Sequence, residues 1–172
     1  RISDSTYAVW TCDTAGNFLT GTQLTAGGTW TPVAMTTGSD SKTWILWNNV
    51  DGGTALWRLS AAGALEAGAD LGANVEWTPT HLTMSGTEPY IWWIRKADGA
   101  VAFWHCNGSG YFSSGGTINP PAGWALYDAS TNWSTGGHSL FWINFNNETA
   151  VWNVNSTGQY ISGSATGMIG AN

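Results

Sequence analysis

Thr54-Ala55-Leu56-Trp57-Arg58-Leu59-Ser60-Ala61-Ala62-Gly63-Ala64-Leu65-Glu66-Ala67-Gly68 decides the fold, because the chain says it four times. The same phrase runs from Tyr7-Ala8-Val9-Trp10 to Gly16 and Gly21, from Val101-Ala102-Phe103-Trp104 to Gly110 and Gly115, and from Thr149-Ala150-Val151-Trp152 to Gly158 and Gly163. The tryptophans are spaced 47, 47 and 48 residues apart. A second tryptophan follows 20 residues after each of the first three, at Trp30, Trp77 and Trp124. A period of ~40–50 residues with aromatics at fixed offsets predicts one four-stranded blade per repeat.

Outward from the phrase, each repeat reads as four short strands. Strand a covers Ile45–Asn49, Trp92–Lys96 and Leu140–Asn144; strand b carries the Ala-x-Trp phrase; strand c holds Phe18, Leu65, Phe112 and Tyr160; strand d starts at Trp30, Trp77 and Trp124. The b–c connections open on Asp, Ser or Asn and close on Gly16, Gly63, Gly110 and Gly158. Such residues bond their own backbone or take positive φ, as tight hairpins require. The expected fold is all-β: one domain over residues 1–172, a small β-propeller of about four Trp-rich blades with repeats near 1–43, 44–90, 91–138 and 139–172. Arg1 aligns with Asn48 and Asn172 with Trp30, which gives roughly fifteen strands against the sixteen of four full blades. A short blade leaves a raw edge, so a homo-oligomer or strand exchange there is expected, unless the chain is part of a longer array.

Composition narrows the function classes. Five Lys and Arg against eleven Asp and Glu, net charge −6, leave no basic stripe for nucleic acid. No apolar run approaches the ~20 residues of a membrane helix, so no membrane insertion is expected. Low charge, 23 glycines and 13 tryptophans lean toward a secreted or cell-surface protein. His81, His105 and His138 fall at unrelated repeat positions, and the common metal and nucleophile motifs are missing, so the reading is non-enzymatic, with no metal and no cofactor. Glu66, Asp70, Glu76 and Glu88 read as a solvated acidic face rather than a glycosidase pair. Cys12 and Cys106 sit at equivalent positions two residues after the repeat tryptophan, hence in non-adjacent blades. They are expected to be unbridged and buried as small apolar residues.

The tryptophans divide into two classes. Trp10, Trp57, Trp104 and Trp152 share a strand face with alanines and read as core, as do Trp47 and Trp142, with Ile94 as the aliphatic counterpart in the third copy. Trp30, Trp77 and Trp124 each follow a loop. In an up-and-down blade that loop shares a rim with the a–b turns, which bring Asp51, Asp98 and Asn146 alongside. A flat ring beside carboxylate and amide acceptors suits a sugar, whose C–H face stacks while its hydroxyls bond. The competing reading is that these rings close the barrel end and the acidic residues only make turns.

The segment Leu46-Trp47-Asn48-Asn49-Val50-Asp51-Gly52-Gly53-Thr54-Ala55-Leu56-Trp57 resembles bacterial Trp-rich tandem repeats of the form Leu-Trp-Arg-Asn-Thr-Asp-Gly-Thr-Ala-Ser-Leu-Trp. In blade length and aromatic content the chain resembles, more distantly, propeller lectins of the tachylectin and fucose-lectin kind. That resemblance implies shallow glycan sites, one per blade or junction, and multivalent binding; it transfers no family site residue. The expected function is therefore a non-catalytic carbohydrate-binding module for glycans or glycoconjugates. The alternative is a structural or adhesive repeat of a larger surface or filament assembly.

Overall fold

The computed structural model describes residues 6–168, which form fourteen antiparallel strands and no helix. A two-stranded sheet holds β1 (Thr6–Cys12) and β2 (Phe18–Thr25). Three four-stranded sheets follow: β3 (Trp30–Thr37), β4 (Thr43–Asn49), β5 (Gly53–Leu59) and β6 (Leu65–Ala73); β7 (Trp77–Ser85), β8 (Glu88–Arg95), β9 (Val101–Cys106) and β10 (Phe112–Ile118); β11 (Trp124–Asn132), β12 (Gly137–Asn144), β13 (Glu148–Val154) and β14 (Tyr160–Met168). Strands pair in chain order, so each four-stranded sheet is d-a-b-c, the β1–β2 sheet is b-c, and the link from c to d crosses between sheets. Innermost strand β7 packs against β3 on one side and β11 on the other, the arrangement of propeller blades around an axis.

The β3–β6 and β7–β10 blades each bury one face against the preceding sheet and the other against the following one. Ile45, Trp47 and Ala55 meet Tyr7, Val9 and Leu24 of the first sheet. On the opposite face Trp44, Leu46 and Leu56 meet Met84, Ile91 and Trp93. Trp92 and Phe103 then meet Leu140, Trp142 and Val154. The hairpin glycines lock these stacks. Gly110 has φ +89°, and a Cβ there would stand 3.1 Å from both Ala69 Cβ and Trp44 Cζ3 of the preceding blade. Gly158 sits in the same way on Phe103, and Gly63 on Thr22. A residue in this place has to accept positive φ and leave no side chain between blades, and only glycine does both.

Two expectations about the core change. Trp10 is 67% exposed and Cys12 is exposed, although their equivalents Trp57, Trp104 and Trp152 are half-buried and Cys106 is buried. The cause is local: among the described residues β1 pairs only with β2, and none of them forms a strand a beside Trp10 as β4 lies beside Trp57. Both cysteines are free. The second change is register. Trp93 pairs with Ala102 as Trp47 pairs with Ala55 and Trp142 with Ala150, so Trp93, not Ile94, holds the third copy's place. Trp47, Trp93 and Trp142 are all essentially inaccessible, and an indole is present at this position in every complete blade.

Candidate functional site

Strand alternation puts Trp47, Ala55, Trp57 and Asp70 on one face of the β3–β6 sheet, since Trp47 pairs with Ala55, Ala55 with Asp70, and Trp57 with Gly68. Trp30, at the start of β3, closes the end of this row. The result is a cleft of about 300 Å³ lined by Trp30, Trp47, Ala55, Trp57, Gly68 and Asp70. The ring centroids of Trp47 and Trp57 lie 4.8 Å apart, tilted by 53°. The next blade repeats it: a cleft of about 290 Å³ is lined by Trp77, Trp93, Ala102, Trp104, Gly115 and Thr117. Trp93 and Trp104 are 4.7 Å apart at 52°. In the last blade Trp142 and Trp152 keep the same contact at 5.1 Å and 50°.

The second glycine of the repeated phrase shapes these clefts. A Cβ at Gly68 would stand 3.3 Å from Trp57 Cδ1, one at Gly115 3.2 Å from Trp104 Cδ1, and one at Gly163 2.9 Å from Trp152 Cδ1. Any side chain there would press on the edge of the indole, so glycine lets the ring lie over strand c. Trp47, Trp93 and Trp142 also keep their indole N–H buried with no acceptor among the described residues, a cost repeated at one position in three blades.

Of the sequence-predicted residues, Trp30, Trp77 and Trp124 are half-buried and each packs on the edge of a core cluster. Asp51, Asp98 and Asn146 are exposed in the a–b turns. The two groups share a rim: Asn74, just before Trp77, donates its backbone N–H to the Gly52 carbonyl of the preceding blade's a–b turn at 3.0 Å. The turns draw on their own polar groups. Asn49 Oδ1 accepts from the Asp51 and Gly53 amides, and Asn144 Oδ1 accepts from the Asn146 and Glu148 amides. Asp98 accepts from Arg95 at 2.8 and 2.6 Å and from the Ala100 amide. Arg95's hydrogen bonds hold the Asp98 carboxyl down at about 2. The Arg95 guanidinium in turn lies 5.3 Å from the Trp77 ring centroid. Trp47, Trp57, Trp93, Trp104, Asp70 and Thr117 are absent from the sequence-predicted site; for Trp57 and Trp104 the signal that could have found them is the glycine repeated beneath each indole.

The acidic residues of the second repeat take separate partners. Glu66 pairs with Lys42 at 2.7 Å, Glu88 with His105 at 2.7 Å, and Asp70 lies in the first cleft. His138 is buried between the last two blades, its Nδ1 3.0 Å from Thr83 Oγ1, which also accepts the Trp92 indole N–H at 2.8 Å. Burial, with His105 nearby, pushes the His138 imidazole down to about 4. Among the described residues no cluster of three His, Cys, Asp or Glu could hold a metal ion.

No family model matches the sequence, and no curated protein matches it. Similar solved structures have β-propeller-like folds. A proposed 6-phosphogluconolactonase from Bacteroides uniformis aligns at TM-score 0.55 and 18% identity, over 98% of this chain and 54% of that one. The structure of BBS1N in complex with ARL6DN aligns at 0.51 and 15%, over 92% and 47%. A quinonprotein alcohol dehydrogenase-like protein from Bacteroides thetaiotaomicron aligns at 0.52 and 17%, over 76% and 32%. The chain thus spans between a third and a little over half of each neighbour's length. At these identities the likeness carries the fold alone.

Proposed function

We propose that the chain is a non-catalytic carbohydrate-binding module of a secreted or cell-surface protein, built from about four blades, with β1–β2 as the outer half of one. The observation that carries this reading is the repeated cleft. Trp30, Trp57 and Gly68 in one blade and Trp77, Trp104 and Gly115 in the next line shallow pockets of almost equal size at the same repeat position. Half-buried indoles offer an apolar face to a pyranose ring. Asp70, Thr117 and the polar turns of the same rim offer hydrogen-bonding groups to its hydroxyls. Repetition compensates for the weakness expected of any one such site. Screening the purified chain on a glycan array tests this: binding to a defined set of surface glycans is expected, and silence across the array would overturn it.

A second reading has its own observation. Trp10 is 67% exposed beside exposed Phe18, and Gly16, whose equivalents each pack on a preceding blade, meets nothing within 4 Å. An exposed aromatic patch of this kind suits a structural or adhesive contact, including one with a second copy. Light scattering should then show association that Trp10→Ser abolishes; a monomer at every concentration removes this reading.

A further inference from the structure

The two clefts differ in charge. The ring of Trp77 already carries a cation, the Arg95 guanidinium, and the strand-c residue of its cleft is the neutral Thr117. In the preceding blade the residue paired across from Trp30 is Asn49, where Arg95 pairs with Trp77, and strand c supplies Asp70 in place of Thr117. This first cleft therefore combines the half-buried indoles of Trp30 and Trp57 with a carboxylate and takes no cation from the described residues.

Asp70 is exposed, its Oδ1 accepting from the Gly72 amide at 2.8 Å. No described salt bridge uses it: Lys42 and Arg58 pair with Glu66, Arg95 pairs with Asp98, and the Lys96 ammonium bonds the Val75 carbonyl. None of these four basic residues lines the cleft. The rest of the wall is small, Ala55 and Gly68, so the indole edges stay open. Indole faces attract a cation through the ring quadrupole, and a large, weakly hydrated ammonium gives up its water more readily than a metal ion. The cleft's volume of about 300 Å³ lies at the small end for ligand pockets, suited to a headgroup rather than an extended chain.

We propose that this cleft binds an organic cation, a quaternary or methylated ammonium group held against Trp30 and Trp57 with Asp70 as its counter-ion. The inference goes beyond carbohydrate binding and does not depend on it, because the neighbouring cleft has the indoles without the carboxylate.

Isothermal titration of the intact chain with choline, and with 3,3-dimethyl-1-butanol as its neutral carbon isostere, tests it. Choline should bind in the ~mM range, about tenfold tighter than the isostere. Asp70→Asn should weaken choline about fivefold and leave the isostere unchanged. Equal binding of the two compounds, choline binding unaffected by Asp70→Asn, or no choline binding at all would each overturn the proposal. Thr117→Asn, the matching change in the neighbouring blade, should leave choline binding as it was; a loss there would assign the cation to the wrong cleft. The glycan array is run on the unaltered chain and read separately: array binding without choline binding overturns this proposal alone, and choline binding without array binding overturns the carbohydrate reading alone.

Discussion

Glycine and histidine positions give the sharpest residue-scale tests. Gly16 and Gly110 have nearly the same backbone, φ +84° and +89°, but a Cβ at Gly16 meets nothing while one at Gly110 meets Ala69 and Trp44. Gly16→Ala should cost about 1 kcal/mol for the left-handed backbone alone. Gly110→Ala should cost about 1–3 kcal/mol more for overpacking between blades. Urea unfolding of the two variants checks this, and equal losses would mean that the hairpin does not lock the stack. His138 is depressed to about 4, so the unfolded chain takes up a proton near pH 6.5 that the folded chain refuses until about pH 4. Its contribution to stability is full above pH 6.5 and is lost as pH falls toward 4, at most about 3 kcal/mol. Burial lowers the His81 imidazole too, against the opposing pull of Asp128, and adds in the same direction. Thermal melts between pH 7.5 and 4.5 should show this slope, and His138→Phe should flatten most of it.

At the scale of strands, the pairing separates tryptophans that hold the fold from those open to a ligand. Trp47, Trp93 and Trp142 stand at one register and are 1%, 2% and 0% exposed. Replacing any of them with Ala should cost about 3–5 kcal/mol. Trp57→Ala and Trp77→Ala should cost roughly half as much, since both rings are half-buried. Equal losses in denaturant titrations would mean that the cleft rings are structural. Strands b and c were legible because their connecting hairpins keep one length and one glycine. Strand a was not fully legible. Residues 50–52 join β4 to β5 but 96–100 join β8 to β9, and with Trp92 and Trp93 adjacent, counting from the repeat chose Ile94. A one-residue difference moves a side chain to the other face, and only the pairing of Trp93 with Ala102 resolves it.

For the whole molecule, a 47-residue period sufficed to foresee an all-β propeller-like stack, because each repeat is one supersecondary unit that can bury its faces only against another copy. What the period could not convey is which copies have neighbours: Trp10 and Trp57 are identical in the phrase and differ in exposure. The cleft was half legible. Trp30, Trp77 and Trp124 were singled out by the loops before them, whereas Asp70 and Thr117 lie within strand c, where only the fold reveals which face they share. In the proposed function, repeated tryptophan clefts bind glycans together. A single site should reach only the ~mM range, yet several on one rim raise avidity ~10²-fold on a dense surface. The most direct measurement is retention on glycan-coated beads after Trp30, Trp77 and Trp124 are changed to Leu, singly and together, since Leu keeps apolar packing and removes the π-face. Retention should fall with each replacement and vanish in the triple variant while its circular dichroism stays that of the parent; a folded triple variant retained as strongly as the parent would contradict the account.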